Sequence, residues 1–247
     1  GSGRRVASSE VWKGGGVTKP APHLALTKCT MRFGGIVAVK DFSMALEGGE
    51  IFALIGPNGA GKTTVFNMVT GVYTPTSGQI RFRDQAITGK RPNKIAAHGV
   101  ARTFQNIRLI PGITVLENVI LAHHLHTGYG FAGALFRSDH ALACERDVRG
   151  RAMALLTLFA LDKVAHEPAT SLPYGSQRRL EIARALALKP TLLLLDEPAA
   201  GMNPQEALDL MRLVRFVREE FKLTVLLVEH NMKVVMGIGE RIQVMDH

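Results

Sequence analysis

The spacing of apolar positions changes twice along this chain, and the changes divide it into three zones. Short runs rich in β-forming residues at 24–31, 37–46, 51–55 and 79–82 are separated by Gly pairs and a Pro-Thr-Ser-Gly turn signal. They predict strands of an antiparallel β subdomain. From about 114 to 169 the pattern becomes helical, with Leu155, Leu156, Leu158, Phe159 and Leu161 in one dense apolar run and no convincing strand. A helical insertion is the reading. After Ser171 the spacing predicts a helix at 176–188, a strand at 191–195, a helix at 204–221 and a strand at 223–228, then a further helix and a strand at 241–245. Regular helix–strand alternation of this kind predicts a parallel α/β sheet.

The ends fall outside this pattern. Residues 1–22 are rich in Gly, Ser and Pro without apolar periodicity and read as a disordered leader, with Gly1 to Gly3 resembling a cloning scar. The leader lacks the apolar core of about seven or more residues that a secretory signal needs. At the other end the chain stops directly after the strand-like 241–245. Residues 23–247 are expected to form one nucleotide-binding unit, with a helical subdomain at about 113–185.

Composition narrows the class. With 247 residues, 46% hydrophobic and 21% charged, disorder and collagen-like repeats are excluded. Apolar stretches such as 191–195 and 223–228 fall far short of the roughly 20 residues that cross a bilayer. Cys29 and Cys144 have no ligand-like spacing, so neither a disulfide framework nor a zinc knuckle is indicated and a reducing cytoplasm fits. The 30 Lys and Arg against 21 Asp and Glu leave +9, which points to an anionic partner: nucleic acid, lipid headgroups or nucleotide phosphates. Part of that excess is local, since Arg4, Arg5, Lys13 and Lys19 in the leader face only Glu10.

The sharpest chemical signal is Gly56-Pro57-Asn58-Gly59-Ala60-Gly61-Lys62-Thr63, preceded by the strand 51–55 and followed by the helix-capable Thr64 to Val69. Glycines let successive backbone N–H groups curl around a phosphate, and a helix N-terminus adds positive potential. Lys62 would reach the β and γ oxygens, and the Thr63 hydroxyl would ligate Mg²⁺. A second strand supplies the partner, because the apolar run 191–195 ends in Asp196 and Glu197. Parallel strands present ligands at their carboxyl ends. Asp196 would hold Mg²⁺ through water, while Glu197 could polarise the water that attacks the γ-phosphate.

These motifs together resemble the ATP-binding cassette family, and the 134 residues between Lys62 and Asp196 leave room for that family's inserted helical subdomain. The resemblance implies a phosphate-loop α/β fold: a RecA-like parallel sheet, an antiparallel β subdomain and the helical insertion. It also implies roles. Gln105 matches the glutamine that joins the Mg²⁺ and water shell, and His230 the switch histidine at the γ-phosphate. Phe33 matches the aromatic that stacks on adenine, a core Phe being the other reading. The signature appears here as Leu172-Pro173-Tyr174-Gly175-Ser176-Gln177. Pro173 replaces the usual serine and has neither hydroxyl nor N–H. The Gly175 and Ser176 N–H groups could still bind phosphate, with Ser176 as a replacement hydroxyl or as an N-terminal helix cap. Asn203 suits an N-cap with Pro204 and Glu206 behind it. In this family one subunit's phosphate loop is closed by another's signature, so a dimer is implied.

Longer strings at 31–36, 102–109, 174–184, 197–204 and 229–238 are similar to the larger ATPase subunit of high-affinity branched-chain amino-acid importers. That resemblance implies ATP and Mg²⁺ as cofactors, a second ATPase subunit, two permease subunits and, indirectly, a periplasmic binding protein. It places the chain peripherally on the cytoplasmic face of the inner membrane. Urea and amide importers of the same group are the near alternative. A nucleic-acid-associated cassette is not expected, for want of an aromatic-basic binding surface, and intact Lys62, Asp196, Glu197 and His230 argue against a non-hydrolysing clamp. His123, His124 and His126 have a spacing that cannot aim all three rings at one tetrahedral centre on a helix. Arg146, Arg149 and Arg151, interleaved with Glu145 and Asp147, read as a solvated helix face, with permease contact as the other reading.

Overall fold

A computed structural model describes residues 21–105, 107–127, 139–230 and 232–245. The leader up to residue 20, Asn106, Asn231 and the side chains of His124, His126 and Cys144 lie outside the described residues. The chain opens with β1 (Leu24–Phe33), β2 (Ile36–Leu46) and β3 (Ile51–Ile55), and then α1 (Lys62–Val69). Next come β4 (Ser77–Phe82), β5 (Gln85–Ala86), α2 (Pro92–Ala97) and β6 (Val100–Arg102). Helices α3 (Val115–Thr127), α4 (Asp139–Leu158) and α5 (Tyr174–Ala187) follow. Then β7 (Leu192–Asp196), α6 (Pro204–Phe221), β8 (Thr224–Val228), α7 (Met232–Ile238) and β9 (Arg241–Val244) alternate.

Two sheets result. One is antiparallel, in the order β2-β1-β4-β5, and the other is parallel, in the order β6-β7-β8-β3-β9. The sequence reading grouped β3 with the antiparallel strands; the structure moves it into the parallel sheet, between β8 and β9. The reason is in its residues. All five positions of Ile51–Ile55 are buried, without polar alternation, as befits a strand covered on both faces. The strands β1, β2 and β4 mix buried with exposed positions and form the half-covered layer. Edge strand β6 and helix α2 were not anticipated; β6, only three residues long, gains its identity by pairing with β7 from Val100↔Leu192 to Arg102↔Leu194.

The period of two sorts the parallel strands' side chains between two cores. Leu192, Leu194, Leu226, Val228, Phe52 and Leu54 point to the side that holds α1 and the antiparallel sheet. Leu193, Leu195, Val225, Leu227 and Ile51 point to the side that packs against α3, α4, α5 and α6. Each fully buried aliphatic side chain contributes roughly 1.5–3 kcal/mol relative to an exposed one. The charged face expected around Arg146 to Arg151 is exposed on α4, and Arg151 ion-pairs with Asp147 one turn away. Among the described residues no helix is long and apolar enough to cross a membrane.

Candidate active site

Strand β3 delivers the chain into the loop 56–61, and two glycines there are required by contact. A Cβ on Gly56 would stand 2.2 Å from the Met245 carbonyl oxygen, and one on Gly61 2.5 Å from that of Ala38. Gly61 also holds φ +94° as the N-cap of α1, a conformation that side-chain-bearing residues adopt at a cost. No side chain caps α1 and no acidic residue lies in its first turn. Its N-terminal field is therefore left for an external anion. Lys62 is buried, and its Nζ donates to the carbonyls of Gly56 at 2.7 Å and Pro57 at 2.8 Å. Both acceptors are neutral, so the ammonium charge is not cancelled by them. Pro57, Asn58 and Gly59 form the exposed lip of the loop and Ala60 its buried floor, with Thr63 exposed and Thr64 half-buried behind it.

At the carboxyl end of β7 the two adjacent carboxylates part company. Asp196, the last strand residue, is 1% exposed and ion-pairs through Oδ2 with Arg102 at 2.7 Å. Its Oδ1 is buried and has no hydrogen-bond partner among the described residues. Arg102 also donates to Asn67 of α1 at 2.6 Å and lies over the rings of Phe66 and Phe104. Glu197 turns away because its backbone is left-handed, with φ +47°. A non-glycine residue held there costs on the order of 1 kcal/mol or more. Its N–H is fixed by the Val228 carbonyl at 2.9 Å.

The turn at Glu197 brings together side chains that lie far apart in the chain. Gln105 Nε2 donates to Glu197 Oε2 at 2.9 Å, and His230 Nδ1 lies 3.8 Å from Glu197 Oε1. The histidine is half-exposed and the carboxylate nearly buried, with 55% and 13% of their side-chain surfaces accessible. Below them Glu229, 1% exposed, accepts from the N–H groups of Ala199 at 3.1 Å and of His230 at 3.3 Å. It ties the loop after β7 to the end of β8. Nothing in its sequence neighbourhood had singled it out.

The first turn of α5 corrects one expectation. Pro173 is the N-cap and Ser176 the third helical residue, so Ser176 is not the cap. Proline's fixed φ and the helix-compatible Tyr174 let the helix begin earlier than the sequence suggested. Gly175 faces Met202 and Glu206 of the loop after β7 and the start of α6, not the phosphate loop of its own chain. Asn203 is the N-cap of α6 with both capping-box bonds to Glu206 formed. Phe33 is 41% exposed and stands nearly perpendicular to Tyr73, with ring centroids 5.1 Å apart. Its open face is compatible with stacking and not with a core role. Sequence reasoning also missed Arg178 and Glu181, a buried ion pair at 3.1 Å on α5. Opposite charges three residues apart on the expected helix were the available signal.

The orphaned buried oxygen of Asp196 suits a hard divalent cation, and the Thr63 hydroxyl and Gln105 side-chain carbonyl, both exposed, are oxygen ligands of the same kind. Among the described residues there is no cluster of three or more His, Cys, Asp or Glu that could hold a metal by itself. Any cation here would share its coordination with phosphate oxygens and water.

Comparison with known proteins gives a consistent picture. The family model described as ABC transporter matches residues 39–200. The chain is 46% identical over 225 residues to the high-affinity branched-chain amino acid transport ATP-binding protein BraF of Pseudomonas aeruginosa, covering 91% of this chain and 88% of that one. Among solved structures, MJ1267, an ATP-binding cassette of an ABC transporter, superposes with a TM-score of 0.79 at 27% identity, covering 91% of this chain and 88% of that one. The ATP-binding cassette MJ0796, in a dimeric post-hydrolysis state bound to ADP and Pi, reaches 0.75 at 28% identity, covering 90% and 94%.

Proposed function

Because the chain belongs to the ABC transporter family, we propose that it is the ATP-hydrolysing subunit of an importer for branched-chain amino acids. One observation supports the chemistry most directly: Glu197 is held between the Gln105 amide and the His230 ring at the carboxyl end of β7. Glu197 acts as the group that polarises the attacking water, Gln105 sets its direction, and His230 meets the γ-phosphate. The non-proline residues of Gly56 to Gly61 wrap the phosphates with backbone N–H groups, Lys62 leaves its two carbonyls for phosphate oxygens, and Thr64, in the first turn of α1, binds the nucleotide with them. Phe33 offers its open face to the adenine.

Thr63, Gln105 and Asp196 would hold Mg²⁺, whose contribution when bound is to neutralise the developing charge on the phosphates. Arg102 keeps Asp196 oriented by occupying its other oxygen.

The assembly follows from the position of the signature. Gly175 and Ser176 lie at the start of α5, and they bind the nucleotide of a second cassette, as the dimeric state of the MJ0796 cassette suggests by analogy. Two permease subunits complete the importer, a periplasmic binding protein supplies the solute, and the chain works on the cytoplasmic face of the inner membrane. Residues 23–247 act as one nucleotide-binding unit with a helical subdomain at about 113–185. No nucleic acid is involved.

Glu197→Gln tests the central role. It is expected to bind ATP normally and to hydrolyse it at least about 100-fold more slowly. Near-normal turnover would remove Glu197 from the mechanism. The solute is tested in proteoliposomes, where leucine, isoleucine or valine with the binding protein should stimulate turnover; stimulation by urea or amides alone would reassign the substrate.

A further inference from the structure

The buried pair Arg178–Glu181 clamps the backbone that carries Gln105. Glu181 Oε1 accepts from Phe104 N–H at 3.1 Å, and Arg178 Nη1 donates to the Phe104 carbonyl at 2.8 Å. Arg178 Nη2 donates to the Gln105 carbonyl and to the Tyr174 hydroxyl, the latter at 3.0 Å. The ion pair itself, at 3.1 Å, closes the ring of contacts. Three consecutive peptide units, from the Phe104 N–H to the Gln105 carbonyl, are thus held by one helix. The guanidinium is 2% exposed and its Nε has no hydrogen-bond partner among the described residues. As a device for stability this is poor, because apolar residues of similar volume often replace a buried ion pair without loss. As a device for placement it is apt, since a planar fork spans two carbonyls at once.

What it places is the Gln105 amide, 2.9 Å from Glu197. The same guanidinium holds Tyr174, whose ring a Cβ on Gly201 would touch at 3.4 Å, so the fork also reaches the loop after Glu197. Tyr174 opens α5 next to the segment assigned above to a second cassette's nucleotide. We propose that Arg178 and Glu181 are positioning residues that set Gln105 against Glu197 and tie that setting to the α5 face presented to the second cassette. The inference rests on the ATPase reading.

The test uses the full chain and a double variant, Arg178→Met with Glu181→Leu, which leaves no unpaired buried charge. Its KM for ATP should stay within about 2-fold of the parent while kcat falls at least about 10-fold. Gln105→Ala should lower kcat in the parent and add little in the double variant, because the amide it removes is already misplaced. Losses that multiply independently, or an unchanged kcat, overturn the proposal. Arg178→Lys keeps the charge but cannot span both carbonyls, so it guards against a double variant that fails to fold. Its kcat should fall comparably, and full turnover with lysine would overturn the clamp. If the parent itself does not hydrolyse ATP, the ATPase reading falls instead. The clamp is then judged by hydrogen exchange at the Phe104 amide, which should quicken at least about 10-fold in the double variant; unchanged protection would overturn it.

Discussion

At single residues, the site divides its work by backbone geometry as much as by side-chain type. Asp196 and Glu197 are neighbours, yet one is buried against Arg102 and the other, turned by a left-handed φ, faces Gln105 and His230. Gly61→Ala tests the loop's equivalent constraint. Its Cβ would meet a backbone oxygen at 2.5 Å, so ATP affinity should fall at least about 10-fold in a nucleotide-binding titration. A second prediction concerns pH. Burial pushes the Glu181 carboxyl above its ordinary 4.5, outweighing the lowering by the Phe104 N–H and Arg178. The folded protein then keeps this proton longer than the unfolded chain does. The stability it contributes is complete below pH 4.5 and is lost as pH rises through the raised folded value. Glu181→Gln, which does not titrate, should flatten that decline, read by chemical denaturation from acid to neutral pH.

Among elements, local sequence sufficed where capping and periodicity agreed. Helix α6 was bounded correctly at Pro204–Phe221 because Asn203, Pro204 and Glu206 specify its start by short-range hydrogen bonds. Asn203→Ala should cost about 1 kcal/mol in thermal or chemical unfolding. Helix α5 was placed two residues late because the start signal sought was a capping serine, whereas Pro173 fills that position without a side-chain bond. Strand β6 was missed because three residues have too little pattern to register alone. Strand β7 was evident as a leucine run, and its alternation serves two cores at once. Leu194→Ala, at a position with no exposure, should destabilise by about 2–5 kcal/mol.

For the whole molecule, the proposed pairing with a second cassette turns on where the signature lies. Its own Gly175 faces its own loop after β7, while its phosphate loop lies at the end of a different strand. ATP should therefore promote association with a second cassette most strongly in Glu197→Gln, where turnover no longer dissolves the complex, as read by sedimentation or size exclusion. By itself the sequence determined the phosphate loop, the two carboxylates and most elements, because these depend on residue type at fixed local spacing, while Gln105 and His230 stood out only through the family resemblance. Tertiary structure alone decided that Arg102 holds Asp196 and that Arg178 and Glu181 grip Phe104 and Gln105. Each of these joins residues tens of positions apart, and such partners are chosen by burial and by the need to satisfy buried polar groups. Neither leaves a periodic mark in the chain.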